Sequence, residues 1–212
     1  SATRVPPATA TVHATIERTA ASQVRIALDG DAKPVPVDGI DLDAIAGAFT
    51  GVAWWDSGRI TVNELNWKAP GLQFVSDITI EPDGAVATRV RELTANREGL
   101  QAFLSAQPAA SYRAVAAENA HLSAKDLLIG LTAEKKLRLA EGSGSFSGVD
   151  LTLPKGQRAV AGVAGELAFV DDAVKIVSLK ADGLSLTGTV APNIGEGSAA
   201  VDLQGSATLT RE

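Results

Sequence analysis

Residues 199–210 read AAVDLQGSATLT. Val201, Leu203, Ala207 and Leu209 share one parity, with Gly205 between them. Asp202, Gln204, Ser206, Thr208 and Thr210 hold the other. A period of two over this length predicts a strand with one wet and one dry face.

The same pattern recurs upstream. Val12, Ala14 and Ile16 alternate with Thr11, His13, Thr15 and Glu17, and Val24, Ile26 and Leu28 with Gln23 and Arg25. Strands are expected at 51–56, 59–67, 72–80 and 85–93. After residue 119 come about seven more, at 120–132, 135–141, 144–153, 158–170, 173–181, 183–191 and 199–210. Asp29-Gly30, Pro82-Asp83-Gly84, Pro154-Lys155-Gly156, Asp171-Asp172 and Asp182-Gly183 supply turn chemistry between runs. The resulting spacing of about 10 to 12 residues suits an antiparallel meander.

Two places break the period. Leu42, Ile45, Ala46 and Phe49 sit at helical spacing, with Asp41 as N-cap, and predict a short helix over 41–50. In the segment 94–119, Leu100, Phe103 and Leu104 share a helical face behind Asn96, and SYRAVAAEN (111–119) reads as a second, Ala-rich helix. The expectation is a mainly β fold. An antiparallel meander forms a curved sheet, half-barrel or sandwich, with two or three short helices. Residues 1–93 form an N-terminal β unit, 94–119 a helical insertion or linker, and 120–212 a C-terminal β meander, or the three make one continuous domain.

Composition narrows the function. The 212 residues carry a net charge of −6 with a pI near 5.0, and the 19 basic residues are scattered. That argues against a nucleic-acid partner, because phosphate binding needs clustered cations. Cys is absent, which excludes disulfides, thiolate catalysis and Cys-ligated zinc. Met is absent too, as expected of a piece of a longer chain. No run approaches the ~18 apolar residues of a membrane span.

Catalytic constellations are missing. His13 and His121 read as exposed strand histidines. GSGSFSG (142–148) has the wrong register for a nucleophile elbow and reads as a strand or bulge. Asp38, Asp41 and Asp43 read as turn and cap residues, and Asp171 and Asp172 as a hairpin tip. Trp54 and Trp55 face opposite sides of a strand; Trp67 is the third tryptophan. The expectation is a protein without catalysis and without a cofactor or metal.

GVAGELAFVDDAVKIVSLKADGLSLTGTVAPN (162–193) brings a glycine approach to an acidic tip and two alternating strands ending in LTGTV. SGVDLTL (147–153) and DGIDLDAIAGAF (38–49) share its glycine–aliphatic–aspartate–leucine strand. The chain resembles the AsmA-like superfamily of bacterial envelope proteins, which includes the TamB relatives, most clearly over 140–210 and more faintly over 37–105. The stretch GVAWWDSGRITVNELNWKAPGL (51–72) is also similar to the N component of type II secretion.

The AsmA-like resemblance implies a periplasmic protein anchored to the inner membrane by a segment outside this sequence. It implies a curved sheet with an apolar groove that binds or transfers phospholipid, and other envelope proteins as partners. Dry-parity residues expected to line that groove are Leu151, Leu153, Leu184, Leu186, Val190, Val201, Leu203 and Leu209. The alternative is a structural or secretion-system scaffold acting by protein–protein interaction through its strand edges.

Overall fold

Alternating β-branched and small residues, broken every ten or so positions by residues that accept positive φ, give hairpin after hairpin. The computed structural model describes residues 8–19, 23–34, 43–105, 113–134, 136–152, 160–193 and 198–207. Twelve strands follow the chain in order: β1 (Ala8–Arg18), β2 (Gln23–Pro34), β3 (Gly47–Asp56), β4 (Arg59–Lys68), β5 (Leu72–Ile80), β6 (Val86–Ala95), β7 (Arg113–Leu131), β8 (Leu137–Thr152), β9 (Val160–Val170), β10 (Ala173–Ala181), β11 (Leu184–Asn193) and β12 (Ser198–Ala207). Each pairs antiparallel with its sequence neighbour in one curved, open sheet. Of the forms expected, the curved meander is the one adopted. Residues at the β3–β4 and β9–β10 tips take the positive φ that tight hairpins require: Ser57 and Gly58, Asp171 and Asp172.

The expected helices are corrected in part. Helix α1 (Arg97–Ser105) forms, capped by Asn96, whose Oδ1 accepts from the N–H groups of Glu98 and Gly99. Of the helix expected over 41–50, the described residues form only a 3-10 turn at Asp43–Ile45, because Gly47 already begins β3 and Phe49 pairs with Trp67. From Arg113 on, the second helix expected at 111–119 is strand: Arg113 opens β7, and Ala114 and Ala116 pair with Leu151 and Val149. Where two strands are expected, at 135–141 and 144–153, Leu137–Thr152 form one long strand, β8. The sheet does not stop at 94–119, since β6 pairs with β7 from Ala95–Leu122 to Val86–Leu131.

The 3-10 turn, the β4–β5 turn and α1 are stitched together at one end of the sheet. Gly71 N–H donates to the Ala44 carbonyl at 2.7 Å, Asn96 N–H donates to the Gly71 carbonyl at 3.1 Å, and Asn96 Nδ2 donates to the Pro70 carbonyl at 3.1 Å. Leu100, 5 % exposed, then packs onto Ala116, Ala120, Val149 and Val163. The backbones of Gly71 and Gly99 touch, and a Cβ on Gly99 would run into the Gly71 carbonyl oxygen. In a free helix Ala in place of Gly gains about 1 kcal/mol. Here the sign reverses: Gly99→Ala is expected to lower the urea midpoint, and a raised midpoint would show that α1 is free to lift away.

Candidate functional site: an uncovered apolar face

Residues directly opposite one another in a sheet point to the same face. One cross-strand row runs through all twelve strands: Val12, Gly30, Phe49, Trp67, Phe74, Leu93, Ala124, Gly144, Leu167, Ile176, Gly188 and Leu203. Every member is apolar or glycine. At the strand spacing of about 4.8 Å the belt is roughly 50 Å long. Ile26, Ala53, Val62 and Ile78 run beside it on one side; Leu122, Phe146, Gly165, Leu179 and Leu186 run on the other. One residue along, the opposite face reads Thr11, Asp31, Ala48, Lys68, Gln73, Thr94, Ser123, Ser145 and Glu166.

No second layer covers the apolar face among the described residues. The strands pack mainly on their bonded neighbours, and α1 and the 3-10 turn close one end. Exposure still alternates along β11: Leu184, Leu186 and Val190 are half-buried while Ser185, Thr187 and Thr189 are exposed. The apolar side chains shelter one another. Phe49, Trp67 and Phe74 form a ladder, their rings stacked 6.3 and 5.8 Å apart and within 5° of parallel. Farther along, large side chains lie over glycines. Phe146 and Leu179 cover Gly165, and Leu203 covers Gly188. Aromatics and leucines thus lie down on the sheet and the face stays shallow.

Two buried, unpaired polar atoms lie on this surface among the described residues. Ser76, 1 % exposed, sits on the dry parity of β5 opposite Leu65 and Val90. Its Oγ and the Nε1 of Trp67 are both buried without a hydrogen-bond partner. A buried polar group left unpaired costs about 1–3 kcal/mol.

The expected groove residues divide into three groups. Leu151, Leu184, Leu186 and Val190 are half-buried on the apolar face. Val201 and Leu203, on the edge strand β12, are 59 % and 45 % exposed. Leu153 and Leu209 lie outside the described residues. Sequence reasoning missed the aromatic ladder and Ser76, although the lone serine among Leu72, Phe74, Ile78 and Ile80 was a readable signal.

The opposite face carries paired charge. Arg91 grips Asp77 through Nε and Nη2, at 2.6 and 2.9 Å, and reaches Glu64 Oε1 at 3.3 Å. Arg89 pairs with Glu141, and Arg138 with Asp172. Burial pushes the Asp77 carboxyl up, but hydrogen bonds from Arg91 and the Glu64 N–H, with the charges of Arg91 and Arg89, outweigh it and hold it below the usual carboxylate range. The Asp77 partnership in turn holds Arg91 above its ordinary value. Hydrogen bonds from Gln23 and Ser57 lower Asp56 likewise.

His13 and His121 are exposed and lie opposite Asp29 and Ser147 on the polar side. Asp43 pairs with Lys33; Asp38 and Asp41 lie outside the described residues. No cluster of metal-ligating side chains occurs among the described residues. A cleft of about 510 Å³ at the capped end is lined by Asp43, Arg97, Glu98, Gln101 and Ser105. Gln101 is already committed there, accepting from Ala116 N–H and donating to Ser105. No family model, curated protein or solved structure matches the chain.

Two outcomes are expected. Ser76→Ala removes the unpaired hydroxyl and should raise stability by about 1 kcal/mol in urea; a loss would mean the hydroxyl has a partner in solution. Asp77, with its folded pKa depressed, stabilises the sheet fully above the unfolded value near 4. That contribution fades as pH falls through the folded pKa. Asp77→Asn should therefore flatten the acid limb of a stability–pH curve, and an unchanged limb would clear Asp77 of that role.

Proposed function

We propose that the apolar face is a groove for the acyl chain of a lipid, and that the protein acts by holding or passing lipid, without catalysis. The observation that carries this reading is the twelve-strand apolar belt with no protein layer over it among the described residues. Monomeric proteins seldom leave so long an apolar surface bare unless something binds there. Each methylene laid on such a surface contributes about 0.8 kcal/mol, so eight would contribute roughly 6 kcal/mol before the cost of association. The bacterial envelope setting, with a membrane anchor outside this sequence and phospholipid as cargo, belongs to the same proposal and follows from the AsmA-like resemblance.

A second reading has its own observation. Both sheet edges are open, and the edge strands β1 and β12 expose Val12 and Ile16, Val201 and Leu203. Unpaired edges are templates for a partner's strand. This favours a scaffold that joins other envelope proteins.

Native mass spectrometry of protein purified from bacterial envelopes, followed by lipid extraction, separates the two. Co-purifying phospholipid is expected, and Leu186→Asp or Leu203→Asp should abolish it while circular dichroism stays β-rich. Protein that arrives empty and takes up no lipid from vesicles would overturn the groove and leave the scaffold.

A further inference from the structure

We infer that the groove selects a ligand whose apolar body carries a hydrogen-bond acceptor, such as an ester carbonyl, and that Ser76 and Trp67 are the donors that read it. The inference rests on the groove reading above.

Ser76 and Trp67 sit on neighbouring strands of the apolar face. Trp67 lies opposite Phe74, and Ser76 opposite Leu65, so the two are diagonal neighbours in one four-residue patch. Diagonal Cβ atoms in a sheet are about 7–8 Å apart, a gap one small acceptor group spans. Both free atoms are donors: a hydroxyl, and an indole N–H that has no acceptor capacity. They are the buried side-chain nitrogen and oxygen atoms left without a partner among the described residues. Both fall in this one patch.

Packing alone does not call for either. Alanine would fill the space of Ser76, and phenylalanine would keep the ladder with Phe49 and Phe74. A pure hydrocarbon ligand would leave both donors unmet, whereas an acyl ester would satisfy them. Leu65, half-buried, pairs with Ser76 and shares the apolar face with Trp67.

The test uses displacement of a fluorescent polyene fatty acid by two chains of equal length. Octyl octanoate carries its carbonyl at mid-chain, and heptadecane carries none. The ratio of octyl octanoate binding to heptadecane binding is expected to be about tenfold higher in the wild type than in the variants, the factor one added hydrogen bond supplies. Ser76→Ala and Trp67→Phe should each lower octyl octanoate binding well beyond any change in heptadecane binding. Comparing variant with wild type for each chain cancels the difference in solubility. The same ratio in the wild type and both variants, as expected if a water molecule occupies the donors, would overturn the inference alone. If no chain displaces or replaces the reporter because none binds, the groove reading falls and this inference with it.

Discussion

A strand's side chains alternate with a period of two, so any extra residue sends everything after it to the wrong face. The apolar belt depends on meeting that constraint in strand after strand. In β4 the apolar residues are Ile60 and Val62, then Leu65 and Trp67; the parity switches between them, and the pairing with β5 shifts at the same place. In β6 Val86 and Val90 give way to Leu93 and Ala95, again at a register shift. In β7 Ala124 gives way to Leu127, and Asp126 between them takes positive φ. In β8 Gly142 and Gly148 stand at two such switches, and in β9 Gly162 precedes Val163. Each bulge absorbs one residue where the sequence changes parity, and the dry side stays dry.

These bulges also explain the charge on the other face. Glu64 takes positive φ at the β4 bulge, and its N–H donates to Asp77 Oδ1 at 3.0 Å. Arg91, at the β6 bulge, holds Asp77 from the opposite side. One carboxylate on β5 therefore ties the bulges of two flanking strands. Exposed ion pairs contribute little each. Here the value lies in fixing register, because a slip would turn Leu65 and Trp67 outward.

The fold class was legible because alternation and turn residues are local signals. Ten of the twelve strands lie close to where the period of two puts them. The misreadings fall where a bulge or a small residue disguised the period. Run 135–141 and run 144–153 looked like two strands because Gly142 flips parity in the middle of one. Residues 113–119 looked helical because alanines carry them. Alanine suits that strand since α1 lies across it, with Leu100 seated on Ala116 and Ala120. The groove residues of β11 were readable from alternation alone. The Phe49–Trp67–Phe74 ladder was not, since it joins three strands whose register only the hairpins set. Nor does a sequence show that a dry face lacks a second layer, because a sandwich and an open trough share the same pattern.

The openness of the edges ties the two functional readings together. Val12 and Leu203 are exposed because they are the terminal members of the belt, each with a neighbouring strand on one side only. A strand added at either edge by a partner would cover that side. If its own apolar residues held the same parity, it would also carry the belt about 4.8 Å farther. Edge pairing and groove binding then do not compete for surface. The first occupies backbone groups in the plane of the sheet, and the second occupies side chains above it. A partner that pairs with an edge would lengthen the surface on which an acyl chain lies.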